Sequence, residues 1–221
     1  MNKIIPFYFD LNLESFYFET IKFKKSLNCY RSKMKIIDKF NNLNDILFQT
    51  DELILKDIII DENQNYFLKL EIISNKLYDF LGNLENNIQK NVFNKSKVWF
   101  GLEPSAKLND IYKSILVLPD NINDKTCLLI KLPINDGSIK SKFFNHKKEL
   151  IGIKDINKRD KVRLIIKLNS IQLFENFYKI DMYLYQLQIC DDITIDLNKI
   201  LEESDEDIIW SDSDNDIINI N

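Results

Sequence analysis

The sequence predicts a mixed, β-dominated fold: a small barrel or curled sheet, one substantial helix, and an acidic C-terminal tail. Three observations carry this. Short alternating apolar segments recur through most of the chain, a single stretch has helical spacing, and the last 31 residues lose alternation and gain acid. Five or more strands with one major helix fit a barrel or curled sheet better than a βαβ repeat.

The strands begin early. Residues 16–23 (FYFETIKF) alternate, with Tyr17, Ile21 and Phe23 on one face. The basic stretch that follows has a turn-like centre at Ser26 to Asn28, which makes 22–35 a hairpin with cationic arms. Residues 51–60 give a further strand. Helical spacing then sets in over 66–93, where Leu70, Ile73, Leu77, Phe80, Leu81, Leu84, Ile88 and Val92 recur every three or four positions. Gly82 inside this stretch costs about 1 kcal/mol relative to Ala, so a break or bend is expected there. Beyond it, 96–101 (SKVWFG) reads as a short strand, with a brief helix near Asp110. Strands at 112–118, 126–134, 162–174 and 180–189 follow, with turns at Asp136-Gly137, 155–160 and NFYK. No internal repeat is present.

Charge divides the chain. From Asp191 onward there are eleven acids and one base, whereas residues 1–190 carry 29 bases against 23 acids, a net of +6. Two regions are therefore expected: 1–190 as a basic domain with an N-terminal strand and hairpin extension, and 191–221 as an acidic, extended tail. Ile208, Ile209 and Trp210, set among the tail's acids, offer an anchor to a protein partner. The composition holds 35 Ile, 26 Asn and 27 Lys against one Ala and three Arg, the mark of a very AT-rich gene. Lysine clusters therefore mean less than usual, and arginines more.

Several function classes lack support. The four glycines form no phosphate-cradling loop, so no nucleotide cofactor is expected. One histidine, His146, and three scattered cysteines supply neither a metal site nor a nucleophile-base pair. No enzyme, cofactor or metal is expected. No run of 18 apolar residues occurs, and the N-terminus lacks a signal peptide's apolar region and cleavage site. With three free thiols, a reducing, cytoplasmic location and no membrane association are expected.

Binding a single nucleic-acid strand requires cations that track phosphates and flat side chains on which bases stack. Three segments combine these, and a fourth is cationic alone. The hairpin supplies Lys22, Lys24, Lys25, Tyr30, Arg31, Lys33 and Lys35. The second supplies Lys97, Trp99 and Phe100, and the third Lys140, Lys142, Phe143, Phe144, Lys147 and Lys148. The fourth, Lys158, Arg159, Lys161, Arg163 and Lys167, holds two of the three arginines. Each has a plainer reading. Aromatics in alternating strands more often pack in a core, and lysines commonly guard edge strands. A single-stranded-DNA-binding protein with a partner-recruiting tail accounts for both halves of the chain. A structural or regulatory protein-binding subunit of a replication or transcription complex is the alternative. Oligomeric state is not legible.

The SKVWFG segment after the helix and the closing KVRLIIKLNSIQLFENFYKIDMYLYQLQI resemble the OB-fold single-stranded-DNA-binding proteins of large cytoplasmic DNA viruses. The resemblance covers about residues 66–190, with Lys161, Arg163, Trp99 and Phe100 in matching motif positions. It implies an OB-like barrel and a role in DNA replication. The AT bias also suits yeast cytoplasmic linear plasmids, which resemble such viruses. A glycine-aromatic turn would be expected where this chain has NFYK, a departure that bears on Phe177 and Tyr178.

Overall fold

The computed structural model describes residues 5–24, 28–38, 40–62, 64–100, 107–119, 121 and 124–190, with Phe100 and Lys107 described by backbone alone. The N-terminal part contains β1 (Phe16–Phe18), β2 (Lys22–Lys24), β3 (Cys29–Ile37), β4 (Leu43–Asn44) and β5 (Ile46–Gln49). Next come β6 (Leu53–Ile60), β7 (Tyr66–Ile72), α1 (Asn75–Phe100), α2 (Lys107–Asp110), β8 (Tyr112–Lys113) and β9 (Leu116–Val117). The remainder is β10 (Cys127–Leu132), β11 (Ile134–Asn135), β12 (Ser138–Ile139), β13 (Lys142–Phe144), β14 (Leu150–Ile151), β15 (Lys161–Leu173) and β16 (Tyr178–Ile189).

Pairing closes a ring. β6 pairs with β7, β7 with β10, β10 with β16, β16 with β15, and β15 returns to β6. Taking these five strands in chain order, the ring runs 1-2-3-5-4-1, and its third and fifth strands are parallel. That is the Greek-key path of an OB barrel. Inward residues fill it: Leu53, Leu55, Leu68, Leu70, Ile130, Val162, Leu164, Ile166 and Leu184 are buried, so the barrel is a packed core. β15 and β16 outrun the barrel, and β3 and β5 pair with the excess length of β15. The predicted β2–β3 hairpin is present and docks there through β3.

The helix differs from expectation at both ends. Residues Tyr66–Ile72 form a strand, because Leu68, Leu70 and Ile72 alternate inward while Ile73 is exposed. Their three-residue spacing to the true helical stripe was a coincidence of sequence. Two residues after the strand Ser74 caps the helix, its Oγ accepting the Leu77 N–H at 3.3 Å. α1 then passes through Gly82 without a break and absorbs the SKVWF segment expected as a strand. The stripe Leu77, Leu81, Leu84, Ile88 and Val92 continues into buried Ser96 and Trp99, which is why helix wins there. No helix among the described residues is long and apolar enough to cross a membrane.

Candidate nucleic-acid interface

Directly opposed residues on paired strands share a face, so register alone assembles the first part of the site. Lys22 opposes Arg31, Arg31 opposes Gln172, Gln172 opposes Lys179, and Lys179 opposes Lys113. Four cations thus lie in one row across β2, β3, β15, β16 and β8. Arg31 is fixed in it: its Nε donates to Ser170 Oγ at 2.7 Å, and its terminal nitrogen lies 3.4 Å from Asp181. At the end of this row the β15–β16 turn presents two half-buried rings. Phe174 and Phe177 stack at 4.5 Å with 19° between planes, and the Phe174 N–H donates to the Phe177 carbonyl at 2.8 Å. Lys113 Nζ sits 4.0 Å from the Phe177 centroid, and Lys179 Nζ 5.5 Å from that of Phe174.

A second row runs alongside. Lys167 opposes Tyr183, Tyr183 opposes Lys131, and Lys131 opposes Phe67. Between the two rows lies a groove of about 250 Å³, lined by Phe67, Leu129, Lys113, Lys131, Lys179 and Asp181 among others. Further along the β7–β10 face a smaller hollow of about 120 Å³ brings in Lys56, Lys69 and Lys125 beside Glu71 and Asp124, with Lys56 paired to Glu71 at 2.8 Å. In an OB barrel this second-and-third-strand face, together with the turn between the fourth and fifth strands, is where oligonucleotides lie.

Three lysines and one carboxylate, Asp181, meet at the groove. The Lys179 pKa is lowered, first by burial and then by the charge of Lys131, with Lys113 adding to it and Asp181 opposing. A phosphate would relieve that repulsion. Lys113 is held in position from behind. Glu85, buried in the middle of α1, accepts from Tyr112 Oη at 2.9 Å, Ser114 Oγ at 2.8 Å and the Ile115 N–H at 2.7 Å. Burial, followed by the Glu85 charge, pushes the Tyr112 phenol well above its usual range. At the other flank Asp45 bridges Lys35 and Lys167. Those two bonds bring its carboxyl down to about 2.

The residues expected from sequence fall in different places. Lys22, Lys24, Arg31, Lys33 and Lys35 share the face of the first row, whereas Tyr30 stands on the reverse side against Phe23, at 5.2 Å. Trp99 is corrected: it is buried, packs 5.8 Å from Phe18, and offers no face to a base. Lys97 is an exposed residue of the same helix. Phe143 is corrected too, being core at 5% exposure, while Phe144 is half-buried. Lys140, Lys142, Lys147 and Lys148 are exposed, but around β13, which pairs with Gln186–Gln188 at the far end of β16 from Lys179.

The arginine-rich segment is largely answered by acids. Lys158 meets Asp57 and Arg163 meets Glu52, both at 2.8 Å. Arg159 is exposed, with its backbone in the left-handed region at φ 79° and its N–H on the Leu55 carbonyl. Lys161 opposes Ile54 at the ring closure. Lys25, the Phe100 side chain, and Ile208, Ile209 and Trp210 lie outside the described residues.

Sequence reasoning missed Phe67, Lys69, Lys113, Lys131, Phe174, Lys179 and Tyr183. Their signal was weak but present: Lys69, Lys131 and Lys179 are each a cation among the inward-facing residues of a strand, so each must point outward.

No protein-family profile and no curated protein matches the chain by sequence. Solved structures show a distant similarity. The chain is similar to the single-stranded DNA-binding protein from bacteriophage Enc34 in a C-terminally truncated form, at 10% identity and a TM-score of 0.46, over 82% of this chain and 98% of that one. The same phage protein in complex with single-stranded DNA gives 11% and 0.44, over 79% and 96%. The single-stranded DNA-binding protein gp2.5 of bacteriophage T7 gives 11% and 0.48, over 76% and 100%. The OB assignment stands on this chain's own ring of strands.

Proposed function

We propose that the protein binds single-stranded DNA without catalysis, protecting and extending the strand during replication. The observation that carries this is the row of Lys22, Arg31, Lys179 and Lys113 ending on the stacked Phe174 and Phe177. The cations suit phosphates, and the ring pair offers a face to an unstacked base once Lys113 or Lys179 turns from its ring to a phosphate. A duplex, with its bases enclosed, gains the cations alone. Sequence preference would be slight, because ring faces and lysines read no base edges.

The acidic tail belongs to the same proposal. Its charge makes it a competitor for the cationic face, and Ile208, Ile209 and Trp210 make it a recruiter of replication proteins once DNA has displaced it. The AT-rich coding bias fits a virus or a cytoplasmic linear plasmid as the source and the cytoplasm as the location.

The test is fluorescence anisotropy of a labelled 30-nucleotide oligo(dT) against the full chain and a 1–190 truncation, at two salt concentrations, with duplex as competitor. Salt-dependent binding that duplex fails to displace and that tightens on truncation is the expected result. Absence of binding by both forms would refute it.

A further inference from the structure

A feature away from the cationic rows is the N-terminal arm. Phe7 and Phe9 stack in the open, 5.3 Å apart with 6° between their planes, and are 37% and 63% exposed. Two exposed phenylalanines side by side are costly to keep in water. The arm that carries them is tied to the domain. Tyr8 between them is buried, donates its hydroxyl to Asp51 at 2.7 Å and packs on Phe80 of α1. Gln49 ties the arm upstream, its backbone N–H donating to Pro6 and its side chain to the Ile5 carbonyl.

Beside the pair lies a hollow of about 440 Å³, lined by Phe7, Ile73, Ser74, Asp51, Glu52 and Arg163. Ile73 is itself 39% exposed. The charge here is opposite to that of the candidate DNA face. Asp51, Glu52 and Asp10, which follows Phe9 in sequence, outnumber the one cation, Arg163; Arg163 and Glu52 pair at 2.8 Å, which leaves Asp51 and Asp10 as the excess negative charge. Phosphates would be repelled, so a base stacked on Phe9 would bring its backbone into an unfavourable field.

We infer that this hollow docks a protein partner that inserts an apolar side chain flanked by lysine or arginine. Phe7, with Phe9 stacked on it, is the anchor surface and the carboxylates are the complementary rim, the arrangement of a small hot spot. Preorganisation of the arm removes much of the ordering cost that a loose terminus would impose on binding. A protein lying on single-stranded DNA would thereby keep a second surface open to replication partners.

The test uses the full chain and three fluorescein-labelled peptides: KKLFKK, KKGGKK and EELFEE. The second measures attraction of lysine to acid anywhere on the molecule, the tail included, so the difference between the first two isolates the apolar anchor. KKLFKK should bind about tenfold more tightly than KKGGKK, EELFEE should not bind, and Phe9→Ser should erase the difference while leaving oligo(dT) affinity unchanged. Equal affinities for the first two peptides would overturn the inference. So would a loss of oligo(dT) affinity in Phe9→Ser, which would make the pair a base platform, or a shift from dimer to monomer in that variant by sedimentation, which would make it a self-interface. Failure of oligo(dT) binding in both forms refutes the DNA reading and leaves the peptide result standing.

Discussion

The carboxylate of Glu85 accepts the backbone N–H of Ile115 at 2.7 Å, tying the middle of α1 to the segment that carries Lys113. The helix that packs the barrel therefore also positions one end of the cationic row. Glu85→Ala leaves the Tyr112 and Ser114 hydroxyls and the Ile115 N–H without this acceptor, and should destabilise the fold by about 3 kcal/mol in urea unfolding. Glu85→Gln keeps an acceptor of the same shape and should cost about 1 kcal/mol. A Gln variant as unstable as the Ala variant would show that the charge, not the acceptor, matters.

Lys179 should trade stability for binding. Burial and the neighbouring charge of Lys131 depress its pKa in the folded protein. The unfolded chain therefore binds this proton more tightly than the folded one. Stability rises with pH as pH climbs through the depressed value toward the ordinary one, and the full penalty is present below that depressed value. Lys179→Met should accordingly raise the urea midpoint at pH 7 and weaken oligo(dT) binding. A lowered midpoint would show that the ammonium contributes more by its contacts than it costs by its charge.

Asp45 works in the other direction. Lys167 and Lys35 hold its carboxyl at about 2, so its contribution to stability is present above the ordinary carboxylate range and is lost as pH falls from about 3.8 through about 2. Its side chain is 39% exposed, and solvent screening limits the contribution to about 1 kcal/mol. Asp45→Asn should cost that much at pH 7. It should also release Lys35 and Lys167 toward phosphate, tightening oligo(dT) binding and steepening its salt dependence.

Among the described residues, the Tyr178 hydroxyl is buried without a hydrogen-bond partner. Burial pushes its pKa up to about 12. Removing an orphan polar atom while keeping the ring that packs 5.1 Å from Tyr112 should help. Tyr178→Phe is expected to stabilise by about 1 kcal/mol in thermal or urea unfolding. A loss of stability would reveal an ordered water on that oxygen.

Much of the architecture was legible because it is local. β15 and β16 alternate so regularly that Val162, Leu164, Ile166 and Leu168 declare their inward face, and the β2–β3 hairpin follows from its turn and arms. The helix boundaries were not, because Leu70, Ile73 and Leu77 share a spacing that both a strand end and a helix start can supply. Trp99 was misplaced for the same reason: a short aromatic segment reads as strand until the stripe from Val92 through Ser96 is seen to continue. The site was harder. Lysines that cluster in sequence, such as Lys147 and Lys148, sit together on one hairpin. Lys113, Lys131 and Lys179 are scattered along the chain and become neighbours only through the pairings of Lys179 with Lys113 and of Tyr183 with Lys131. Register between distant strands is not encoded in local pattern, so no single segment announced the groove.

The ring pair and the lysines make separable demands on a bound strand, and that separation gives the sharpest prediction. Phe177→Ala removes a stacking face and should weaken oligo(dT) binding by about 1–3 kcal/mol with the salt slope unchanged. Lys113→Ala removes a cation and should flatten the slope by about 0.7 while costing less at high salt. Because Lys113 Nζ lies 4.0 Å from the Phe177 centroid, the ring also steadies the ammonium, and the two substitutions should not add. The double variant should lose less than the sum of the singles. Trp99→Ala is the contrast: buried against Phe18, it should cost about 3–5 kcal/mol of stability. At a temperature where that variant remains folded, its affinity should match the wild type. If Trp99→Ala weakened binding there as much as Phe177→Ala, the interface would have to be sought along α1 instead of at the β15–β16 turn.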